Sequence, residues 1–168
     1  GSKGKTTTST LIYEMLKAGG KNTCLIGNIG VPVFEKADES EDLIAVIEMS
    51  SHQLEFTTAS PEVAVLVNIY EEHLDHYKTG FSGYANSKLN ITRYQTKDDY
   101  FIYSSDNEDL KKYIEYIPAE SEKFDINFDK KENSYTYIKD DYIIVDDEKT
   151  FDITTDIKLK GMHNLKDI

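Results

Sequence analysis

The chain has one cysteine, Cys24, in 168 residues, so no disulfide framework braces it, and this usage fits a reducing cytoplasm. Long apolar runs are also missing. The longest, residues 44–47 and 63–67, fall far short of the roughly 20 residues that a membrane-spanning helix needs. The polar opening Gly1-Ser2-Lys3-Gly4-Lys5 does not have the charged-then-apolar pattern of a secretory leader. Positive charge is scarce: 19 Lys and Arg stand against 31 Asp and Glu, a net charge of -12. That excludes a general nucleic-acid binder, which needs a basic surface. It leaves room for a nucleotide site, because a few lysines, backbone amides and a divalent cation hold a triphosphate inside an acidic protein. Much of the acidity lies between Asp98 and Asp156 and reads as solvated surface.

What is present is an alternation. The length suits one domain with a sizeable core. Residues 7–18 have helical spacing, with Leu11, Ile12, Met15 and Leu16 on one side and Gly19-Gly20 as the stop. Residues 23–26, 43–49 and 62–69 read as strands, the latter two apolar enough to be buried on both faces. Residues 81–94 and 108–117 read as helices on either side of a strand at 99–103. Strands joined by helices or long crossovers imply a phosphate-loop-type α/β fold, a mostly parallel sheet flanked by helices. After Pro118 come short Tyr-, Ile- and Thr-rich stretches at 123–128, 134–139, 142–145 and 150–154. These predict a small antiparallel sheet appended to the parallel one.

Three motifs carry chemistry. Gly1-Ser2-Lys3-Gly4-Lys5-Thr6-Thr7 leads into a helix, the arrangement in which backbone amides and the helix dipole face a phosphate. Lys5 would reach the outer phosphates and Thr6 would bind magnesium. The glycine that completes the motif five positions before Gly4 would fall before residue 1. Glu48 ends an apolar strand, where a carboxylate is expensive unless it is paired or bound to metal. Residues 68–76 place His73, Asp75 and His76 after another strand end, a place for metal or phosphate without a zinc spacing. Read singly, Lys88, the Gly27–Gly30 turn and the 161–164 segment carry no chemical signal. On the residues alone, three readings stay open: a ligase, a general phosphate-loop NTPase or kinase, and a non-catalytic binding domain.

Taken in order, GSKGKTTT, GNIGVP, EMSSHQLE, NIYEEHLDHY, SKLNI around Lys88, and LKGMHN resemble the Mur ligase family of ATP-dependent amide ligases. Within that family, the 27–32, 48–55 and 68–77 blocks look most similar to members that add D-glutamate to UDP-N-acetylmuramoyl-L-alanine. Siblings that add other amino acids, and folylpolyglutamate synthetase, are less similar there. The resemblance implies that residues 1–168 are the central ATP-binding domain. A domain for the uridine nucleotide and one for the amino acid would lie outside them, and this piece alone would have no ligase activity. It implies ATP and two magnesium ions as cofactors. The loop Gly1–Thr7 would bind ATP phosphates, with Thr6 and Glu48 at one metal and His73 at the second. Asn28 would lie near substrate and phosphate, and His163-Asn164 beside the adenine. It also implies a carbamylated Lys88, a cation turned into an anionic oxygen ligand. The sequence departs from the family's usual pattern at His52, where many members carry an aromatic residue, and at Asp167, where many carry asparagine.

Overall fold

The computed structural model describes residues 3–29, 42–71, 75–114, 120–132 and 134–154. Helix α1 spans Lys5–Ala18 and stops where Gly19 and Gly20 follow. It packs on a parallel pair, β1 (Thr23–Gly27) and β2 (Ile44–Glu48). The short helix α2 (Ser51–Leu54) comes next, started by a capping box. Gln53 donates its backbone N–H to the Ser50 hydroxyl, and the Ser50 N–H donates to the Gln53 side chain at 2.7 Å. Strand β3 is Val63–Leu66, and helix α3 is Phe81–Leu89, continued by a 3-10 turn over Asn90–Thr92. Then follow β4 (Tyr100–Tyr103), α4 (Glu108–Ile114), β5 (Glu122–Ile126), β6 (Ser134–Lys139), β7 (Tyr142–Val145) and β8 (Glu148–Asp152).

Strands β3 to β8 form one six-stranded sheet in chain order. The antiparallel part expected to be appended after Pro118 is present as the end of this sheet, and it begins later than residue 123. β5 runs parallel to β4, β6 runs parallel to β5, and the direction reverses only at β6–β7 and β7–β8. Parallel neighbours normally need a long crossover. The short 127–133 connection suffices because β6 overlaps only the end of β5, through the pairs Asp125–Ser134 and Ile126–Thr136. β6 to β8 therefore extend the sheet beyond the carboxyl end of β5. Both hairpins turn on Asp-Asp, with Asp140, Asp141, Asp146 and Asp147 all in the left-handed region, as two-residue hairpin turns require.

Period-two alternation along β3 and β4 puts Ala64, Leu66 and Phe101 on one face, where they meet Tyr84 and Ala85 of α3 and Leu110 of α4. Ile69 and Tyr77 complete this core. Strand β2 departs from expectation. Its sequence is apolar, yet only Val46 and Glu48 are buried, and Ile44, Ala45 and Ile47 are exposed. The physical reason is that, among the described residues, β2 pairs only with β1, so α1 on one side leaves much of the strand uncovered.

Leu110 is fully buried in the core. Leu110→Ala is expected to lower unfolding free energy by about 2–5 kcal/mol, the usual range for a core leucine truncation. A urea titration with an unchanged slope and a lower midpoint would register it.

Candidate functional site

The phosphate-loop motif begins α1. Gly4 is the N-cap residue, with φ 86° and ψ -11°, a left-handed conformation natural to glycine, and no side chain caps the helix. The first-turn amides thus face outward at the positive end of a 14-residue helix, an arrangement that attracts anions. Lys5 and Thr6 are its first two residues. Thr6 Oγ1 donates to Glu48 Oε2 at 2.8 Å. Two sites singled out in sequence, 42 residues apart, are therefore in contact. Glu48 is buried, and the Thr6 hydroxyl offsets part of the desolvation of its carboxylate. Two hard oxygens at this distance suit magnesium, which takes one or two carboxylates together with phosphates and water.

Gly27, facing Glu48 across β1–β2, sets the position of that carboxylate. Its φ is +104°, and a Cβ built there would stand 2.2 Å from the Glu48 carbonyl oxygen. The next residue, Asn28, donates its backbone N–H to that same oxygen at 3.0 Å. The close approach of two strand ends brings Asn28 beside Glu48, and only glycine permits it.

The loop is also held at β3. Lys3 N–H donates to Asn68 Oδ1 at 3.0 Å, and Asn68 Nδ2 donates to the Lys3 carbonyl at 2.9 Å. Sequence reasoning quoted Asn68 within a motif and gave it no role. A polar residue just past a buried strand was the available signal.

Lys88 lies in the last turn of α3 and is buried, 5% exposed. Burial, and secondarily the charge of Lys5, lowers its pKa from 10.5 to about 8. Its Nζ stands 5.1 Å from the centre of the Tyr84 ring one turn earlier, within cation–π range. Burial beside Tyr77 pushes the Tyr84 hydroxyl up to about 12. Helix α3 is tied to α2, which begins three residues past Glu48, because Ser87 Oγ donates to the Ser51 carbonyl at 2.5 Å. That leaves the Tyr77 hydroxyl to donate to Ser87 Oγ at 3.2 Å. No sequence signal marked Ser87 or Tyr84.

His52, on α2, sets its ring edge-on to His76 with centroids 4.4 Å apart, and His76 Nε2 is 3.2 Å from Glu55 Oε2. Both histidines are exposed. Among the described residues there is no group of three or more His, Cys, Asp or Glu that could hold a metal. Thr7 is half-buried in the first turn of α1. Gly1, Ser2, His73, His163 and Asn164 lie outside the described residues, as does Asp167.

A glycine-led helix start, a threonine on a strand-end carboxylate and a buried lysine define a nucleotide-phosphate-binding α/β domain. More specifically, the chain belongs to the family of the Mur ligase middle domain, whose model matches residues 1–168. It is 43% identical over 175 residues to UDP-N-acetylmuramoylalanine–D-glutamate ligase of Lactobacillus helveticus, covering 99% of this chain and 37% of that protein. It is 39% identical over 169 residues to the ligase of the same description from Clostridium tetani, covering 100% and 36%. The chain spans little more than a third of the length of these relatives. Among solved structures, a UDP-N-acetylmuramoyl-L-alanyl-D-glutamate–2,6-diaminopimelate ligase shares the fold with TM-score 0.75 at 20% identity, over 98% of this chain and 39% of that one. MurF ligase from Thermotoga maritima in complex with ADP gives TM-score 0.62 at 23% identity, over 87% and 37%.

Two outcomes follow from this geometry. Gly27→Ala is expected to displace the Glu48 backbone and weaken magnesium-dependent nucleotide binding by about tenfold or more, since it strains the backbone and moves a candidate ligand. Isothermal titration with and without magnesium would measure this. Lys88 bears its charge less readily folded than unfolded, so its penalty is complete below pH 8 and fades as pH rises from about 8 to 10.5. Lys88→Met is accordingly expected to stabilise the fold at pH 7 by an amount on the order of 3 kcal/mol, a gain that shrinks toward pH 10 in parallel denaturant titrations.

Proposed function

We propose that this chain is the ATP-binding domain of an ADP-forming acid–amino-acid ligase. The reaction joins D-glutamate to UDP-N-acetylmuramoyl-L-alanine in peptidoglycan precursor synthesis, in the cytoplasm. The observation that carries this reading is Lys88, buried within electrostatic reach of Lys5 on a helix fastened to α2 just past Glu48. A general phosphate-loop NTPase uses Lys5, Thr6 and Glu48 and has no need of a second, deprotonation-prone lysine. The identity to D-glutamate-adding relatives supports the choice of acceptor.

In this reading the γ-phosphoryl group of ATP moves to a carboxylate oxygen of the nucleotide-linked substrate. The bond to ADP breaks as the new P–O bond forms. The amine nitrogen of D-glutamate then attacks the acyl carbon, the C–O bond to phosphate breaks, and the amine loses a proton as the amide forms. Two anions must meet, so cations must offset their repulsion. The loop Gly1–Gly4 and Lys5 would bind the phosphates, and Thr6 and Glu48 would hold one magnesium. Bound magnesium supplies charge neutralisation at the phosphates. With its lowered proton affinity, Lys88 in its neutral form would add carbon dioxide at Nζ and release a proton to solvent, and the carbamate oxygens would, with His73, hold a second magnesium. Asn28 faces the transferring phosphate and the substrate, and His163 and Asn164 border the adenine. Contacts to uridine and to D-glutamate belong to flanking domains.

The test is phosphate release by the full-length enzyme with magnesium-ATP, UDP-N-acetylmuramoyl-L-alanine and a panel of amino acids. Release is expected with D-glutamate alone, and loss by at least a hundredfold in Lys88→Ala, a magnitude typical of a group acting in the transition state. Hydrolysis indifferent to the acceptor, with Lys88→Ala unaffected, would instead describe a general NTPase.

A further inference from the structure

We propose that Asn68 is the positioning residue of the phosphate loop. It would hold the loop in its triphosphate-binding shape by pairing with Lys3 as a neighbouring strand would. The proposal rests on the nucleotide-binding reading above. A carboxamide carries one acceptor and one donor edge in a single plane. Asn68 directs both at one residue, accepting from Lys3 N–H at 3.0 Å and donating to the Lys3 carbonyl at 2.9 Å. This reciprocal pair copies the exchange of both bonds between hydrogen-bonded residues of adjacent strands. It falls on the residue immediately before Gly4, the left-handed N-cap of α1, and so fixes the chain where it enters the helix.

Asn68 is itself held. The next residue, Ile69, is fully buried, and its N–H donates to Asn107 Oδ1 at 3.2 Å. The same oxygen accepts Leu110 N–H at 2.9 Å and so caps α4. The loop is thereby referred, through Asn68 and Asn107, to the core beneath β3 and β4. The other described anchor, Thr6 on Glu48, uses two groups that a metal would claim. The Lys3–Asn68 pair uses Lys3 backbone atoms alone, and so leaves the Lys3 side chain and the amides of Gly4 and Thr6 to the phosphates.

The experiment measures a fluorescent ADP analogue binding to the full-length protein with magnesium, for wild type, Asn68→Ala and Asn68→Asp, with thermal melts to verify folding. Asn68→Ala is expected to bind about tenfold more weakly, the loss of two hydrogen bonds of ordinary net strength. Asn68→Asp separates hydrogen bonding from bulk effects. Ionised, it lacks the donor. Protonated, its carbonyl and hydroxyl can restore both bonds. Affinity relative to wild type at each pH should therefore recover to the wild-type level as pH falls through the carboxyl pKa. Recovery only to the Asn68→Ala level would show that charge alone mattered and would overturn the proposal, as would wild-type affinity in Asn68→Ala. No magnesium-dependent binding by wild type would sink the nucleotide reading itself, and this proposal with it.

Discussion

The hydrogen bond from Thr6 to Glu48 is the contact on which the site's assembly depends. It joins the first turn of α1 to the end of β2, and so brings a helix start and a buried carboxylate from two separate chain segments into one corner. Its geometry exists only because Gly27 lets β1 close on the Glu48 backbone. A single missing Cβ on β1 therefore governs where a carboxylate on β2 stands. The arrangement follows a general property of parallel sheets: strand ends converge on one edge, and ligands bind there.

Around that corner, stability is given up for chemistry. An ammonium group buried without a carboxylate partner in any described ion pair opposes folding, and Lys88 is such a group. The ring face of Tyr84 offsets only part of this. Natural proteins keep such positions where function requires them and compensate elsewhere. Here the compensation is visible as the apolar cluster of Ala64, Leu66, Phe101 and Leu110, and as the Ser87–Ser51 tie that holds α3 in place.

Most elements were legible from periodicity and punctuation. Lys5 and Thr6 were legible from the Gly-Lys-Thr run at a helix start, and Glu48 because it ends an apolar strand. The rest was hidden for identifiable reasons. Residues 51–54 make one turn of helix, too short for a periodic signal, and form it through the Ser50–Gln53 capping box. The direction of β5 depends on which neighbour it pairs with, a tertiary choice that its local alternation does not encode. Lys88 reads as an ordinary solvated lysine, and only the packing of α3 buries it. The exposure of β2 went unforeseen because an apolar strand says that a cover is wanted, not which segment supplies it. His73, His163 and Asn164 remain family-level expectations, outside the described residues.

That uncovered strand has a colloidal consequence. Ile44, Ala45 and Ile47 present an apolar surface on a strand with one described partner, and such edges attract further strands. The net charge of -12 keeps copies of the chain apart. At physiological salt this repulsion reaches only about 8 Å, while the attraction of apolar edges is not screened. Raising ionic strength therefore weakens the charge repulsion that opposes contact between copies at this strand.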